Sequence, residues 1–506
     1  MSSDSAPRNS ARSDFYVVAL IALGVVVIHI LTNGRYGFHR DELQVLDDAR
    51  HSAWGYVTYP PLNPFIERIS LALFGFSLVG LRLFSALAQG AVLILTGLMT
   101  RELGGERLAQ IVAVCAVAIS PAQLFWGTEF QYGSFDYLFW VLIAFCAVRL
   151  LQSDDPRWWL AIGASIGLGM MTKYTMAFFV AGLVGAVLAT PARRFLKSRW
   201  LWLGAALAVL IFLPNLIWQF HHDFVSLRFL QHIHARDVGM GRTGGFVRNQ
   251  FTISTNLFAA PLWIAGLYYF FAAADAKRFR LLGWTYAITF ASFFFAKGRG
   301  YYLGPAYPML FAGGAVLGER WVASLSISAS RWARGVAFGA LAIGAVCAGA
   351  FILPIAPVNS PRNIALKLNG DLREEVGWPE LVRSIADIRD SLPADERNGA
   401  GILAANYGEA GALQLYGPGY GLPRVMSGVN SFWERGYSHP APQILIVVGF
   451  DFEFMESTFD SCEVAGHNGN PYGLTNEESS EHPNIYLCRG LRKSWPEFWK
   501  DFQYFG

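Results

Sequence analysis

The chain has little charge and few cysteines, and it lacks the usual motifs of nucleotide-binding enzymes. Of 506 residues, 15% are charged and the net charge is +3, which argues against a nucleic-acid partner. Five cysteines are too few for a disulfide scaffold, and none follows a CxxC or zinc-type spacing. No P-loop, GxSxG or strand-to-helix GxGxxG occurs, so a nucleotide sugar is disfavoured as a donor.

Apolar residues, in contrast, are abundant. They make up 53% of the chain and the mean hydropathy is +0.33, values typical of membrane proteins. A span needs about 20 apolar residues, and the first run is read as a retained helix because no small-residue cleavage site follows it. About eleven runs qualify, near 14–32, 76–99, 108–126, 135–151, 158–172, 174–191, 200–218, 254–274, 281–296, 302–319 and 335–355.

The distribution of Lys and Arg predicts the orientation. Every second loop is basic, which is the pattern of loops on the cytoplasmic side. We therefore expect a multi-pass protein of the inner (plasma) membrane with a cytoplasmic N-terminus. The first loop (33–75), the loop 219–253 and the tail (356–506) are then extracytoplasmic.

The tail differs in composition from the apolar part. Two strand-like runs (401–407 and 443–450) and a helical period (378–392) predict a small α/β domain over 356–506, after a transmembrane domain over 1–355. Cys462 and Cys488 can pair if this domain faces an oxidising compartment. The fold class expected is a polytopic α-helical membrane protein with a small C-terminal α/β domain.

The first outer loop contains the adjacent acids Asp41 and Glu42. One interpretation is structural: Asp41 is the N-cap of a helix, with Gln44 three residues later completing a capping box. The other is catalytic: Asp41 is a general base at the membrane surface, and Glu42 orients the acceptor or shares a metal ion. Aromatic and proline residues follow these acids, Tyr59 and Pro60 among them.

Four further charged residues lie at predicted outer turns, and each has two interpretations. Asp136 is either an active-site acid or a helix cap. Lys173 either reaches the interface with its ammonium group or binds a lipid phosphate. Lys297 and Arg299 are cations on the outer face, against the positive-inside trend, so they either anchor the chain at the interface with nearby tyrosines or bind a phosphate. Tyr302 is placed in the same pocket.

The loop 219–253 contains four histidines within fourteen residues, His221, His222, His232 and His234. Their spacing matches no strong metal pattern, and a mobile cover over a site is the favoured interpretation, with Arg248 adding positive charge to a substrate pocket. No metal ligand is assigned from the sequence, although a divalent ion remains possible.

The chain resembles the polytopic GT-C glycosyltransferases, and more narrowly the bacterial members of glycosyltransferase family 39 related to aminoarabinose transferases. The resemblance rests on FHRDELQVLDDARHSAWGYVTYPPLNPF, FQYGSFDYLFW, GLGMMTKYT, LPNLIWQFHHDFVS and GRGYYLGPAYPML. It implies a donor sugar on a polyprenyl phosphate and transfer with inversion. It also implies that Asp41 and Asp136 are the family's acidic residues, and that Lys297, Arg299 and Tyr302 hold the lipid phosphate.

The combined prediction is a membrane glycosyltransferase with an extracytoplasmic acceptor, either lipid, glycan or protein. Protein O-mannosylation is disfavoured because the loop repeats of eukaryotic protein mannosyltransferases are missing. Two alternatives remain: a polyprenyl-lipid or sugar transporter, which would place charges near mid-membrane, and a binding protein for cell-wall material. Membrane lipids are expected partners in each case.

Overall fold

The structure is a computed structural model that describes residues 6–361 and 363–506. The α-helices are α1 (Ala6–Thr32), α2 (Arg40–Arg50), α3 (Leu62–Phe74), α4 (Leu78–Glu102), α5 (Arg107–Ala118), α6 (Pro121–Thr128), α7 (Tyr132–Ser153), α8 (Trp158–Met170), α9 (Met176–Ala189), α10 (Arg199–His221), α11 (Val225–Gly239), α12 (Phe246–Asn249), α13 (Ala260–Ala272), α14 (Arg280–Phe295), α15 (Tyr307–Ser324), α16 (Ile327–Ile352), α17 (Ile364–Leu368), α18 (Gly370–Arg373), α19 (Trp378–Ser391), α20 (Ala394–Arg397), α21 (Tyr407–Tyr416), α22 (Phe452–Thr458), α23 (Glu477–Glu481) and α24 (Trp495–Lys500). The strands are β1 (Ala400–Ala404), β2 (Val425–Met426), β3 (Ile444–Val448), β4 (Phe459–His467) and β5 (Asn484–Leu491).

The apolar part of the chain is helical, as predicted. Within the described residues, five helices are long and apolar enough to cross a membrane, namely Ser13–Thr32 of α1 and the whole of α4, α7, α10 and α16. Three further pairs of segments qualify together but are bent, by 62° between α5 and α6, by 99° after α9 and by 94° before α13. The fold is that of a polytopic helical membrane protein, and the count of eleven spans stays a prediction.

Glycines allow two pairs of these helices to approach closely. A Cβ on Gly163 in α8 would lie 2.0 Å from the carbonyl oxygen of Gly204 in α10, and one on Gly266 in α13 would lie 2.0 Å from that of Leu310 in α15. Packing of this kind replaces the hydrophobic effect as the main attraction between helices in lipid. No residue larger than glycine fits at Gly163 or Gly266 without a shift of the helices.

A five-stranded sheet forms in the tail, in the order β2-β1-β3-β5-β4. The strands β2, β1 and β3 are parallel to one another. Strand β5 pairs antiparallel with β3, and β4 pairs antiparallel with β5. Strands β1 and β3 and helix α19 confirm the three elements predicted in this region. A disulfide joins Cys462 of β4 to Cys488 of β5. The division at residue 355 stays a prediction.

The tail packs directly on the first outer loop. Leu43 and Leu46 of α2 belong to the same buried cluster as Leu381 of α19 and Ile446 of β3. A Cβ on Gly411 of α21 would lie 2.7 Å from the Cβ of Leu43, so α2 and α21 are in close contact. This contact brings tail residues to the wall of the cavity described next.

Candidate functional site

A cavity of about 750 Å³ lies between the first loop, several helix ends, α11 and the tail. Seven of the residues singled out in the sequence line it: Asp41, Tyr59, Pro60, Lys173, Lys297, Arg299 and Tyr302. Glu42, Asp136 and Arg248 are not among its lining residues. The sequence motifs of the outer turns therefore meet at one place in the fold.

Helix α2 is capped differently from the sequence prediction. The N-cap is His39, whose Nδ1 accepts a hydrogen bond from the backbone N–H of Asp41 at 3.2 Å. Glu42 completes the capping box by accepting from the backbone N–H of His39 at 2.8 Å. The predicted cap at Asp41 with Gln44 is wrong, because the helix begins at Arg40 and its N-cap is His39, two residues before the predicted cap. The carboxylate of Asp41 is consequently not used as a cap.

Glu42 is completely buried and serves as an anchor for the loop. Its Oε1 accepts from Nε of Arg82 at 2.8 Å and from the backbone N–H of Phe130 at 2.7 Å, while its Oε2 accepts from Nη2 of Arg82 at 2.7 Å. Arg82 is equally buried and belongs to α4. Both carboxylate oxygens of Glu42 thus already accept two hydrogen bonds each, and its predicted partnership with an acceptor or metal stays a prediction.

Of the two adjacent acids, Asp41 is the one that lines the cavity. Its side chain is 28% exposed, and its Oδ1 accepts a hydrogen bond from the hydroxyl of Tyr407 at 2.9 Å. Tyr407 is the first residue of α21, and the capping box of Asn406 and Glu409 fixes its position. A tail residue thus holds the proposed base of the first loop.

We expect Tyr407→Phe to lower kcat/KM of the proposed transfer reaction about ten-fold, because a hydrogen bond to a charged group contributes roughly 1.5–3 kcal/mol. The measurement is steady-state transfer with the purified variant. Tyr416→Phe, at the other end of α21, is the matched control and should behave like the wild type. Equal activity in both variants would contradict a role for the Tyr407 hydroxyl.

Lys173 lies in a cage of aromatic rings between α8 and α9. Its Nζ is 4.3 Å from the ring centre of Tyr302, 4.7 Å from that of Tyr132 and 5.6 Å from that of Tyr301. Burial lowers the pKa of the Lys173 ammonium, and the charge of Asp136 acts in the opposite direction. Among the described residues, no carboxylate oxygen forms an ion pair with Nζ of Lys173, and an anion entering the cavity would add a direct partner to the more distant charge of Asp136.

Lys297 occupies a backbone position that glycine usually fills. Its φ is 51°, and it follows the C-terminus of α14 as the central residue of a Schellman motif. The backbone N–H of Gly298 donates to the carbonyl of Phe293 at 2.8 Å, and that of Lys297 donates to Phe294 at 3.2 Å. A left-handed lysine costs roughly 1 kcal/mol relative to glycine. Such an outlier on a cavity wall is consistent with a functional use of its side chain.

Arg299 already has an anionic partner in this structure. Its Nε and Nη2 both donate to the carboxylate of Asp237, each at 2.6 Å. Asp237 belongs to α11 and is nearly buried, so the pair fastens α11 to the segment that follows α14. A phosphate at Arg299 would have to share or replace this two-pronged contact.

The remaining site predictions divide between the cavity wall and the interior. Tyr59 lines the cavity and donates to Oδ2 of Asp48 at 2.6 Å, while Arg435 of the tail donates to Oδ1 of Asp48 at 2.8 Å. Burial raises the pKa of Asp48 to about 7, and Arg435 opposes this shift. Asp136 lies in the second turn of α7, where its Oδ1 accepts from the indole N–H of Trp140 at 3.0 Å. The alternative of a helix cap at Asp136 is thereby wrong.

Four residues that line the cavity were not predicted as site residues from the sequence: His39, Gln131, Asp237 and Tyr407. Tyr407 and Asp41 are 366 positions apart, and no local pattern links them. The signal that was available is the His39–Glu42 spacing, which fits a capping box once histidine is allowed as the cap. Among the described residues, no group of three or more His, Cys, Asp or Glu side chains is arranged to hold a metal ion.

Comparisons with known proteins concern the fold and part of the sequence. The crystal structure of ArnT from Cupriavidus metallidurans bound to undecaprenyl phosphate superposes with a TM-score of 0.60 at 16% identity, covering 93% of this chain and 97% of that one. This likeness concerns the fold. The sequence profile of the dolichyl-phosphate-mannose-protein mannosyltransferase family matches residues 58–218. Residues 58–218 are thus similar in sequence to this family, and the fold of the whole chain is similar to that of ArnT.

Two proteins with similar sequences differ in the sugar that their names give. The lipid A galacturonosyltransferase RgtD of Rhizobium johnstonii is 29% identical over 286 residues, which cover 54% of this chain and 58% of that protein. An undecaprenyl phosphate-α-4-amino-4-deoxy-L-arabinose arabinosyl transferase of Pseudomonas fluorescens is 30% identical over 171 residues, or 31% of this chain and 30% of that protein. The matches thus span about half or less of these relatives.

Proposed function

We propose that this protein transfers a sugar, with inversion, from a polyprenyl-phosphate donor to an acceptor on the extracytoplasmic side of the inner membrane. The observation that carries the proposal is a single cavity lined by the carboxylate of Asp41 and by the cations of Lys173, Lys297 and Arg299. Such a reaction requires a general base and a phosphate-binding site in the same cavity.

In the proposed reaction, Asp41 accepts the proton of the attacking hydroxyl or amine. The acceptor atom bonds to the anomeric carbon while the bond from that carbon to the phosphate oxygen breaks, and attack opposite to the leaving group inverts the configuration. The phosphate leaves with the electron pair of the broken bond. Positive side chains fixed beforehand stabilise the developing charge. The proton finally passes from Asp41 to water or to the released phosphate.

Donor and acceptor are proposed by class. The relative named for lipid A makes an envelope glycolipid the first acceptor to test. The names of the two relatives described above give an acidic sugar in one case and an amino sugar in the other. The extracytoplasmic side for the tail is supported by the Cys462–Cys488 disulfide, since such bonds persist in oxidising compartments. With the eleven spans predicted from the sequence, an odd number, the N-terminus is then cytoplasmic.

The decisive assay uses the purified full chain in detergent with undecaprenyl-phosphate-linked galacturonic acid or aminoarabinose and a panel of acceptors that includes lipid A. We expect one equivalent of undecaprenyl phosphate to be released for each sugar transferred, detected by mass spectrometry. Asp41→Asn is the matched inactive control. Movement of labelled donor across liposome membranes without any glycoside product would instead support the transporter alternative.

Lys173→Met keeps the length of the side chain but removes its charge. We expect KM for the polyprenyl-phosphate donor to rise about ten-fold or more, since a charge-assisted contact to phosphate contributes roughly 1.5–3 kcal/mol. Donor titrations of the initial rate provide the measurement. Lys197→Met, at the end of the segment Pro191–Lys197 and outside the cavity lining, is the control. An unchanged KM in Lys173→Met would exclude Lys173 from the phosphate site.

A further inference from the structure

His39 is a cavity-lining residue in direct contact with the backbone of Asp41. It is only 5% exposed, and its Nδ1 accepts the hydrogen bond from the Asp41 N–H that caps α2. Ser, Thr, Asp and Asn are the usual side chains at such a cap. A histidine performs the same task with a rigid ring that also fills part of the cavity wall.

Two neighbours determine which ring nitrogen carries the hydrogen. The amide Nε2 of Gln131 lies 3.4 Å from Nδ1 of His39 and donates to Oε2 of Glu129 at 2.6 Å. An amide nitrogen can only donate, so Nδ1 receives N–H groups from both Gln131 and Asp41 and must present a lone pair. The hydrogen of the neutral ring is therefore assigned to Nε2.

The same arrangement directs the carboxylate of Asp41. Its Oδ2 lies 3.9 Å from Nδ1 of His39, and two groups that both present lone pairs do not attract each other. The attractive contact of the carboxylate is on its other oxygen, with the hydroxyl of Tyr407. The ring thus fixes the backbone of Asp41 and leaves its carboxylate to the cavity.

We infer that His39 is a positioning residue for Asp41. Its Nδ1 accepts the hydrogen bond of the Asp41 N–H, and Gln131, which is itself held by the fully buried Glu129, lies against the same nitrogen. The inference rests on the proposed transfer reaction. It assigns the role to the acceptor atom Nδ1 and not to any proton transfer by the ring. A general base displaced from its productive geometry loses rate without losing affinity for the donor.

The test compares His39→Ala with His39→Asn in the transfer assay. Alanine removes the acceptor, whereas asparagine restores a side-chain oxygen at the cap. For His39→Ala we expect kcat to fall about ten-fold or more with donor KM within about two-fold of the wild type. For His39→Asn we expect recovery of kcat to within about three-fold of the wild type. Thermal unfolding of each variant shows whether it is folded.

Two results would overturn the inference: wild-type kcat in His39→Ala, or equal loss of kcat in both variants, which would assign the ring itself another task. Should His39→Ala fail to fold, Gln131→Leu decides, because it removes one donor to Nδ1 and should lower kcat at unchanged donor KM. Gln131→Leu with the kcat of the wild type would then also count against the inference.

Failure of the proposed function is distinct, since it would appear as wild-type protein that transfers no sugar.

Discussion

Asp41→Asn should lower kcat of sugar transfer by about 10² to 10⁴, the usual contribution of a general base. The amide has nearly the same shape as the carboxylate and can still accept the hydrogen bond from Tyr407, but it cannot take a proton from the acceptor. Donor binding should be preserved, because the cations that line the cavity remain in place. The measurement is single-turnover transfer, with binding of undecaprenyl phosphate determined separately.

The control for Asp41→Asn is Asp390→Asn, which changes a carboxylate on the surface of α19 whose side chain is 56% exposed. It should transfer sugar at the rate of the wild type. If Asp41→Asn retained more than about a tenth of the wild-type rate, proton abstraction by Asp41 would be refuted as the catalytic step. If it lost donor binding as well, the substitution would have damaged the cavity and not only the base.

Arg82→Met should destabilise the folded protein by about 3–5 kcal/mol, the cost of leaving a buried charge without its partner. Arg82 is completely buried and donates to Glu42 through two nitrogens, to the carbonyl of Asn33 at 2.9 Å and to that of Gly37 at 3.0 Å. Its Nη2 also lies 3.2 Å from Oε1 of Glu375 in the tail. One side chain therefore connects α4, the first loop and the tail.

Burial raises the pKa of Glu375 to about 8, and Arg82 counteracts this effect. Glu375 is thus largely protonated near pH 7 even beside Arg82, so loss of Arg82 is expected to raise the pKa of Glu375 further and to leave Glu42 as the main uncompensated charge. The apparent melting temperature in detergent, followed by the fluorescence of the 16 tryptophans, gives the measurement. The control is Arg101→Met at the exposed end of α4, which should melt like the wild type.

A double-mutant cycle tests the pairing itself. Glu42→Gln should also destabilise the protein, and the loss in Arg82→Met/Glu42→Gln should be smaller than the sum of the two single losses, because both remove the same interaction. Strict additivity would show that Arg82 and Glu42 do not act as a pair. Wild-type melting of Arg82→Met would refute the anchoring role described for the first loop.

The sequence by itself determined the fold class and several of the charged residues that line the cavity. Composition and apolar runs predicted a helical membrane protein, and the strand-like runs near 401–407 and 443–450 predicted strands that the structure contains. Charges at the outer turns predicted Asp41, Lys173, Lys297 and Arg299, which line one cavity. The fold class could be predicted because hydropathy and charge act locally, and water and lipid sort such residues in any fold. The catalytic and phosphate-binding roles of the four charged residues stay predictions.

Only the tertiary structure decided what each of these side chains contacts. Glu42 follows Asp41 in the sequence, yet its side chain points into the interior toward Arg82, 40 positions away. The two side chains diverge because consecutive residues of an α-helix are rotated by about 100° about the helix axis. Arg299 meets Asp237 across 62 positions, and Asp41 meets Tyr407 across 366. Such contacts depend on how α11 and the tail pack over the first loop. Local propensity carries no information about that packing.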